Sequence, residues 1–151
     1  MKKKSIITGI VIVALLAIIG LVALFLDVYN DNRIIARESL PSSITNFVGT
    51  NFPGTEIRTA EIDFLDYAVW LDDDTSIEFD WNRKWDKIEN FKGISRLHLI
   101  PDGIRSFTEQ QYPGTPVTEI SIDDNRYEVR LAGLPIELLF TRGGGYIGVE
   151  D

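Results

Sequence analysis

The residue types that carry most enzyme chemistry are scarce in this chain. It contains no cysteine and a single histidine, His98, which alternates with Leu97 and Leu99. Thiolate nucleophiles, disulfides and zinc sites built from several Cys or His ligands are therefore excluded. We interpret His98 as a surface or edge-strand residue, and we expect no catalytic residue, no metal ligand and no cofactor.

Three short runs look like ligand-binding loops but fit hairpin turns better. Asp72-Asp73-Asp74 clusters carboxylates as a calcium site does, yet it lacks the alternating ligands and central glycine of an EF-hand loop. Asp123-Asp124-Asn125 is interpreted as the corresponding segment of a later copy, which favours turns at both places. Gly143-Gly144-Gly145 lies between strand-like segments and lacks the helix that follows a phosphate-binding loop.

The strongest candidate for a binding surface is aromatic. Trp70 falls on the opposite side of its strand pattern from Val69 and Leu71, and two further tryptophans flank a short basic segment. Exposed Trp beside Arg or Lys is typical of interface hot spots, although burial of Trp70 in the core is the alternative. The candidate partner surface consists of Trp70, Trp81, Arg83, Lys84, Trp85 and Arg130.

These residues lie on a duplicated pattern. Residues 40–71 and 100–131 align at an offset of 60, and 11 of the 32 aligned pairs are identical. Nine of the 11 identities fall on proline, glycine and apolar or aromatic positions, which are the residues that set the backbone and the core. Within this alignment, Val69-Trp70-Leu71 of the first copy corresponds to Val129-Arg130-Leu131 of the second.

Each copy predicts one helix followed by strands. Pro41 and Pro101 suit the first helical turn, with Ser39 as a candidate N-cap, and aromatic-Pro-Gly sequences end both helices. Alternating apolar residues with short turns between them then predict antiparallel hairpins. The fold class is α+β: two tandem units, each a helix on an antiparallel sheet of three or four strands, preceded by one transmembrane helix. The two sheets could join edge to edge, since a lone unit buries little apolar surface.

The N-terminal segment predicts a membrane anchor. Residues 5–26 carry no charge and no proline, and as a helix they span about 33 Å, close to the thickness of a bilayer core. The lysines before them place residues 1–4 in the cytoplasm and the remainder outside. A cleaved secretory signal, releasing the protein to the periplasm, is the alternative. Residues 27–39 are interpreted as a stalk, residues 40–90 as the first unit and residues 91–151 as the second.

Charge restricts the partners of the part outside the membrane. After the apolar run the chain carries 12 basic and 23 acidic residues, a net charge of −11. Such a surface repels phosphates and anionic headgroups, so we expect no nucleic acid partner. The charge is interpreted chiefly as a source of solubility, with a basic protein or divalent cations as alternatives.

The combined pattern resembles PepSY-like domains, which are also described as similar to β-lactamase-inhibitor-protein folds. The resemblance covers residues 40–151 and rests on Leu40-Pro41, Phe52-Pro53, Tyr67-x-Val69-x-Leu71, Trp85 and the matching residues of the second copy. It implies a tandem fold in a secreted or periplasmic protein, and it does not imply a catalytic activity. The chain departs from the pattern in its glycine-rich run after Thr141 and in its long N-terminal apolar segment.

The leading hypothesis is a membrane-anchored extracytoplasmic module that binds or regulates another protein of the cell envelope and is not an enzyme. One alternative is a structural or assembly factor that acts through the anchor. Another is an inhibitor-like periplasmic protein, released after signal cleavage. The oligomeric state is left open.

Overall fold

The computed structural model describes residues 33–150. The predicted cytoplasmic residues 1–4, the transmembrane segment 5–26 and the first part of the predicted stalk lie outside the described residues. Within residues 33–150, no helix has the length and apolarity needed to span a bilayer.

Within residues 33–150, nine antiparallel strands form one sheet, in which each strand is paired with its neighbours in sequence. One helix precedes the second strand and another precedes the sixth, so the predicted α+β class, with two helices and a large antiparallel sheet, is confirmed. The elements are β1 (Arg33–Ile35), α1 (Ser42–Asn51), β2 (Ile57–Asp63), β3 (Asp66–Leu71), β4 (Ser76–Phe79), β5 (Trp85–Glu89), α2 (Asp102–Gln111), β6 (Val117–Asp123), β7 (Arg126–Leu131), β8 (Glu137–Thr141) and β9 (Tyr146–Glu150).

The two copies join edge to edge through β5 and β6, where Ile88 pairs with Ile120. Each copy contributes one helix and four strands, and β1 adds a short ninth strand beside β2. A row of directly opposed side chains therefore crosses every strand on one face of the sheet. From β1 to β9, the row consists of Ile35, Ala60, Val69, Ile77, Ile88, Ile120, Val129, Leu138 and Val149.

The helices pack on this face because their apolar residues recur every three or four positions. In α1, Ile44 and Val48 are buried against the sheet. The aromatic contact beside them is repeated in both copies: the rings of Phe47 and Phe79 lie 5.4 Å apart, edge to face, and so do those of Phe107 and Phe140. The same core has thus been built twice.

The helix starts differ in one respect from the prediction. Pro41 and Pro101 occupy the N-cap positions, with φ near −55°, and neither cap makes a side-chain hydrogen bond. Ser39, the predicted N-cap, lies instead in a short 3₁₀ turn over Arg37–Ser39. Proline's fixed φ and missing N–H define these starts without help from a hydroxyl group.

The end of the predicted stalk is part of the sheet. Strand β1 lies within residues 27–39 and pairs with β2, with Ile35 opposite Ala60. A strand of three residues is too short to show a period of two in the sequence, so this pairing could not be recognised from the alternation of residue types.

Candidate functional site

The face of the sheet opposite the helices, here called the open face, carries the candidate chemistry. Strand alternation places Trp70 and Arg130 on it, because their neighbours Val69 and Val129 belong to the buried row. Trp70 is 36 % exposed, so it is not buried in the core. The two halves of this face differ strongly in how their charges are arranged.

The first half holds a cleft of about 330 Å³, here called the acidic cleft. Among residues 33–150, none of its carboxylates except Glu78 forms an ion pair, and Glu78 lies 3.9 Å from Lys87. The residues that line the cleft are Glu61, Asp63, Asp66, Tyr67, Ala68, Trp70, Glu78, Phe79 and Asp86. Five carboxylates and an indole ring therefore face one depression.

Two of these carboxyls are destabilised in their charged form. Desolvation by burial raises the pKa of Asp86, and the negative charge of Glu78 raises it further. Desolvation also raises the pKa of Asp66, reinforced by Asp80 and Asp63. The Oδ1 atom of Asp86 is buried and has no hydrogen-bond partner among the described residues. A cation entering the cleft would relieve the repulsion between these carboxylates.

A β-bulge places Asp86 in the cleft. Glu78 pairs with Lys87 and Phe79 pairs with Trp85, so Asp86 is the extra residue of β5. A bulge re-aims the side chain it carries, which lets Asp86 line the open face although it adjoins an open-face residue, Lys87. The regular alternation of side chains along β5 is broken at this point.

In the second half of the open face the charges are paired. The Arg130 guanidinium contacts Glu119 and Glu137, at N–O distances of 3.1 and 2.9 Å. Arg126 contacts Glu128 at 3.0 Å and Glu150 at 3.4 Å. Sequence positions that hold Asp66 and Trp70 in the first copy hold Arg126 and Arg130 in the second, so duplication has been followed by divergence in charge.

The six predicted surface residues do not lie together. Trp70 lines the acidic cleft, and Arg130 lies four strands away, about 19 Å at the usual strand spacing. Trp81, Arg83 and Lys84 lie exposed at the β4–β5 turn, where Arg83 has a φ of 63°.

Trp85 points to the other face. Its ring lies 6.4 Å from that of Tyr127, in a depression of about 320 Å³ between the two copies. The guanidinium of Arg142 lies over the Tyr127 ring, 4.4 Å from its centroid. Trp85 therefore takes part in packing one copy against the other.

The remaining sequence candidates are turns or surface residues. Asp72-Asp73-Asp74 connects β3 to β4, as predicted, and the Asp74 carboxylate is bound by Lys92 at 2.6 Å, which lowers its pKa. Asp123-Asp124-Asn125 is also a turn, but it connects β6 to β7, so it does not correspond to the triple aspartate as we expected. Its counterpart in the first copy is the turn between β2 and β3, which lies one hairpin before the triple aspartate.

Gly143-Gly144-Gly145 forms the predicted hairpin between β8 and β9, with a φ of +86° at Gly144. A Cβ atom on Gly144 would lie 2.7 Å from Cβ of Pro101, so this turn needs glycine to approach the start of α2. His98 is exposed, as expected of a surface residue, and its Nε2 lies 3.4 Å from Oδ1 of Asn51. Within residues 33–150, no three His, Cys, Asp or Glu side chains are placed to hold one metal ion.

Three solved structures share the fold. Two are periplasmic proteins of Bacteroides vulgatus: one has a TM-score of 0.71 and 23 % identity over 80 % of this chain and all of its own, and the other has 0.69 and 23 % over 81 % and 98 %. The third, from Bacteroides thetaiotaomicron, is described as a calcium-regulated periplasmic protein and has a TM-score of 0.70 and 25 % identity over 80 % and 98 %.

A comparison with curated proteins gives no match. The sequence profile of the beta-lactamase-inhibitor-like, PepSY-like family matches twice, over residues 28–80 and 65–147, and together these segments span most of the chain. Both copies of the helix-and-sheet unit contribute to the match, as the resemblance predicted. The chain therefore belongs to the beta-lactamase-inhibitor-like, PepSY-like family.

Proposed function

We propose that this protein is a non-catalytic, extracytoplasmic binding module that engages a basic segment of another envelope protein through its acidic cleft. The observation that carries the proposal is the set of carboxylates without cation partners beside Trp70. A Lys or Arg side chain would supply the missing positive charge and could place its charged group over the indole ring. The extracytoplasmic compartment is proposed from the periplasmic relatives that share the fold.

The second copy supports this choice of surface by contrast. Its open face carries Arg126 and Arg130, which satisfy the neighbouring glutamates internally. The first copy has no such cation at the matching positions, although nothing in the fold prevents one there. An external cation is the simplest partner for the charges that remain.

Membrane attachment is a second part of the proposal. Residues 5–26 would hold the module at the outer face of the cytoplasmic membrane, which confines it to the neighbourhood of envelope proteins. Replacing residues 1–26 by an unrelated single-pass anchor should then preserve function. Loss of function with the new anchor would favour the assembly-factor hypothesis, and a mature mass lacking this segment would favour the secreted, inhibitor-like one.

The calcium-regulated relative raises the question of a cation site. The described residues do not fit one as they stand, since no three acidic side chains converge on one point. Calcium titration of the purified protein is therefore included as a competing outcome. Tight calcium binding lost in Asp66→Asn, without any protein contact at the cleft, would replace the present proposal.

Site-specific photo-crosslinking in living cells tests the proposal. A photoreactive amino acid at Ala68, which lines the cleft, should crosslink the membrane-anchored protein to a partner segment that contains Lys or Arg. The substitutions Trp70→Ala and Asp66→Lys should each abolish this crosslink, because they remove the stacking surface and reverse a charge.

Trp81→Ala is the matched control. Trp81 is 66 % exposed at a turn outside the cleft, so its truncation should leave the crosslink intact. Melting temperatures of all variants should show that they remain folded. A crosslink that survives Trp70→Ala and Asp66→Lys, or that maps to a segment without basic residues, would overturn the proposal.

A further inference from the structure

Strand β9 is the last strand of the second copy, as β5 is the last strand of the first. In both strands a bulge follows the aromatic residue, Trp85 in β5 and Tyr146 in β9. Val149 of β9 is the counterpart of Ile88, and both belong to the row that crosses the sheet. Strand β5 is covered on its outer side by β6, whereas no described residue pairs with the outer side of β9.

The consequence of this difference is exposed apolar surface. Ile88 is fully buried, but Val149 is 51 % exposed, and Tyr146 and Ile147 are 45 % and 55 % exposed. The only charged residue of β9 is Glu150. Proteins usually protect an edge strand with lysines, prolines, inward-pointing charges or bulges, and of these β9 has only its bulge at Ile147.

Charge determines what kind of strand could cover this edge. In the first copy, Lys87 lies between Glu89 and Glu119, at 3.9 and 3.4 Å, and so neutralises the β5–β6 junction. Gly148 replaces that lysine in β9. Glu150 is 3.4 Å from Arg126, but its side chain remains 59 % exposed, so a cation on an added strand could pair with it as well. The net charge of −8 of the whole chain disfavours a second copy as the source.

We propose that β9 binds an extended basic segment of a partner protein, which adds to the sheet as an antiparallel tenth strand. The model for the contact is the β5–β6 ladder: an apolar side chain faces Val149 as Ile120 faces Ile88, and a Lys or Arg faces Glu150. The inference concerns a different surface from the acidic cleft and does not rest on it.

A synthetic peptide provides the probe. It has the sequence of residues 116–122 with the substitution Glu119→Lys, so it copies most of β6 and its only charged side chain is the required cation. With the full-length protein in detergent, we expect saturable binding and slower hydrogen exchange of β9 amides. Val149→Lys should weaken binding at least about tenfold, because it places a cation and a long side chain at the centre of the contact.

Two controls separate strand addition from general stickiness. Ile34→Lys changes a residue on the opposite edge strand that is 75 % exposed, and it should leave peptide binding unchanged. N-methylation of alternate peptide amides should abolish binding for one alternate set and spare it for the other, since only one set faces β9.

Absence of peptide binding, equal binding to Val149→Lys, or insensitivity to the N-methylated set would overturn the inference. A wild-type dimer that Val149→Lys dissociates would show that a second copy occupies the edge instead. Trp70→Ala should not affect peptide binding, so failure at the acidic cleft and failure at β9 remain distinguishable.

Discussion

The indole ring of Trp85 and the phenol ring of Tyr127 lie 6.4 Å apart, with their planes tilted by 30°, and join the two copies on the helix-covered face. Trp85 belongs to β5 and Tyr127 to β7, with β6 between them. The ring contact therefore adds a side-chain connection between the copies to the backbone pairing of β5 with β6. Trp85, which the sequence suggests as part of a binding surface, thus contributes to the packing between the two copies.

A double-mutant cycle measures this contact. Trp85→Ala should lower the free energy of unfolding by about 2 kcal/mol, less than for a fully buried tryptophan because the side chain is partly exposed. Combined with Tyr127→Ala, chemical denaturation should give a coupling energy of about 0.5–1.5 kcal/mol. Trp81→Ala should change stability by less than about 0.5 kcal/mol. Strict additivity of the two core changes would contradict the contact.

Two helical glycines should respond oppositely to the same substitution. A Cβ atom on Gly103 would lie 2.6 Å from the carbonyl oxygen of Gly144, whereas one on Gly49 would meet nothing within 4 Å. Gly103→Ala should therefore destabilise the protein by about 1–3 kcal/mol, since the β8–β9 turn must move away. Gly49→Ala should stabilise it by about 0.5–1 kcal/mol. Equal effects in thermal denaturation would show that the turn does not press on α2.

The raised pKa values of Asp66 and Asp86 predict that replacing either carboxyl by a neutral amide increases stability in a pH-dependent way. The folded protein holds the protons of Asp66 and Asp86 more tightly than the unfolded chain, so ionisation of either carboxyl costs stability as pH rises above its ordinary pKa. Asp86→Asn should raise the melting temperature at pH 7 by a few degrees. The gain should shrink as pH falls toward 3.8, the ordinary pKa of aspartate, and vanish well below it, where the carboxyl is protonated in both states.

Asp74→Asn provides a control of opposite sign. Lys92 lowers the pKa of Asp74, so the ionised carboxylate stabilises the fold at neutral pH. Asparagine tolerates the φ of 68° at this position, and the substitution therefore reports on the charge. It should lower the melting temperature at pH 7, with the difference lost as acid protonates Asp74. A gain from Asp74→Asn at neutral pH would show that the assigned causes are wrong.

A buried amide holds the end of the first copy. The Asn90 side chain donates to Oγ1 of Thr75 at 3.0 Å and to the carbonyl oxygen of Asp73 at 3.2 Å, and its Oδ1 accepts from the N–H of Lys92. Asn90→Ala should cost about 1–3 kcal/mol, because it leaves buried polar groups without partners. Asn90→Asp keeps the acceptor for Lys92 but loses both donors, and urea denaturation should place it between the alanine variant and the wild type.

Much of the fold could be predicted because both copies encode it locally. Pro41 and Pro101 mark the helix starts, and alternation marks the strands, so each copy repeats the same signals at the same spacing. The edge-to-edge union of the sheets was open at the sequence level, since nothing in the alternation of β5 or β6 states which strand will lie beside it. The structure resolves this through Ile88 and Ile120.

The acidic cleft could not be predicted for two physical reasons. Asp86 reaches it only because a bulge interrupts the alternation of β5, and a bulge leaves no regular signal in residue type. Which acids stay unpaired depends on neighbours across the sheet, as when Glu119 binds Arg130, 11 residues away. The position of Trp70 on the face away from the core could be predicted, because the alternation of its strand is intact.

The sequential order of the strands has a mechanical consequence. The N-terminal segment enters at β1, and β9 lies eight strand spacings away, about 38 Å across the sheet. A pulling force between these two edges would act across the ladders and pass through all of them in series. The β1–β2 and β5–β6 ladders each have three pairs, but the Trp85–Tyr127 contact also holds the second one. The β1–β2 ladder would therefore yield first, and the segment before β2 would lengthen while both copies stay closed.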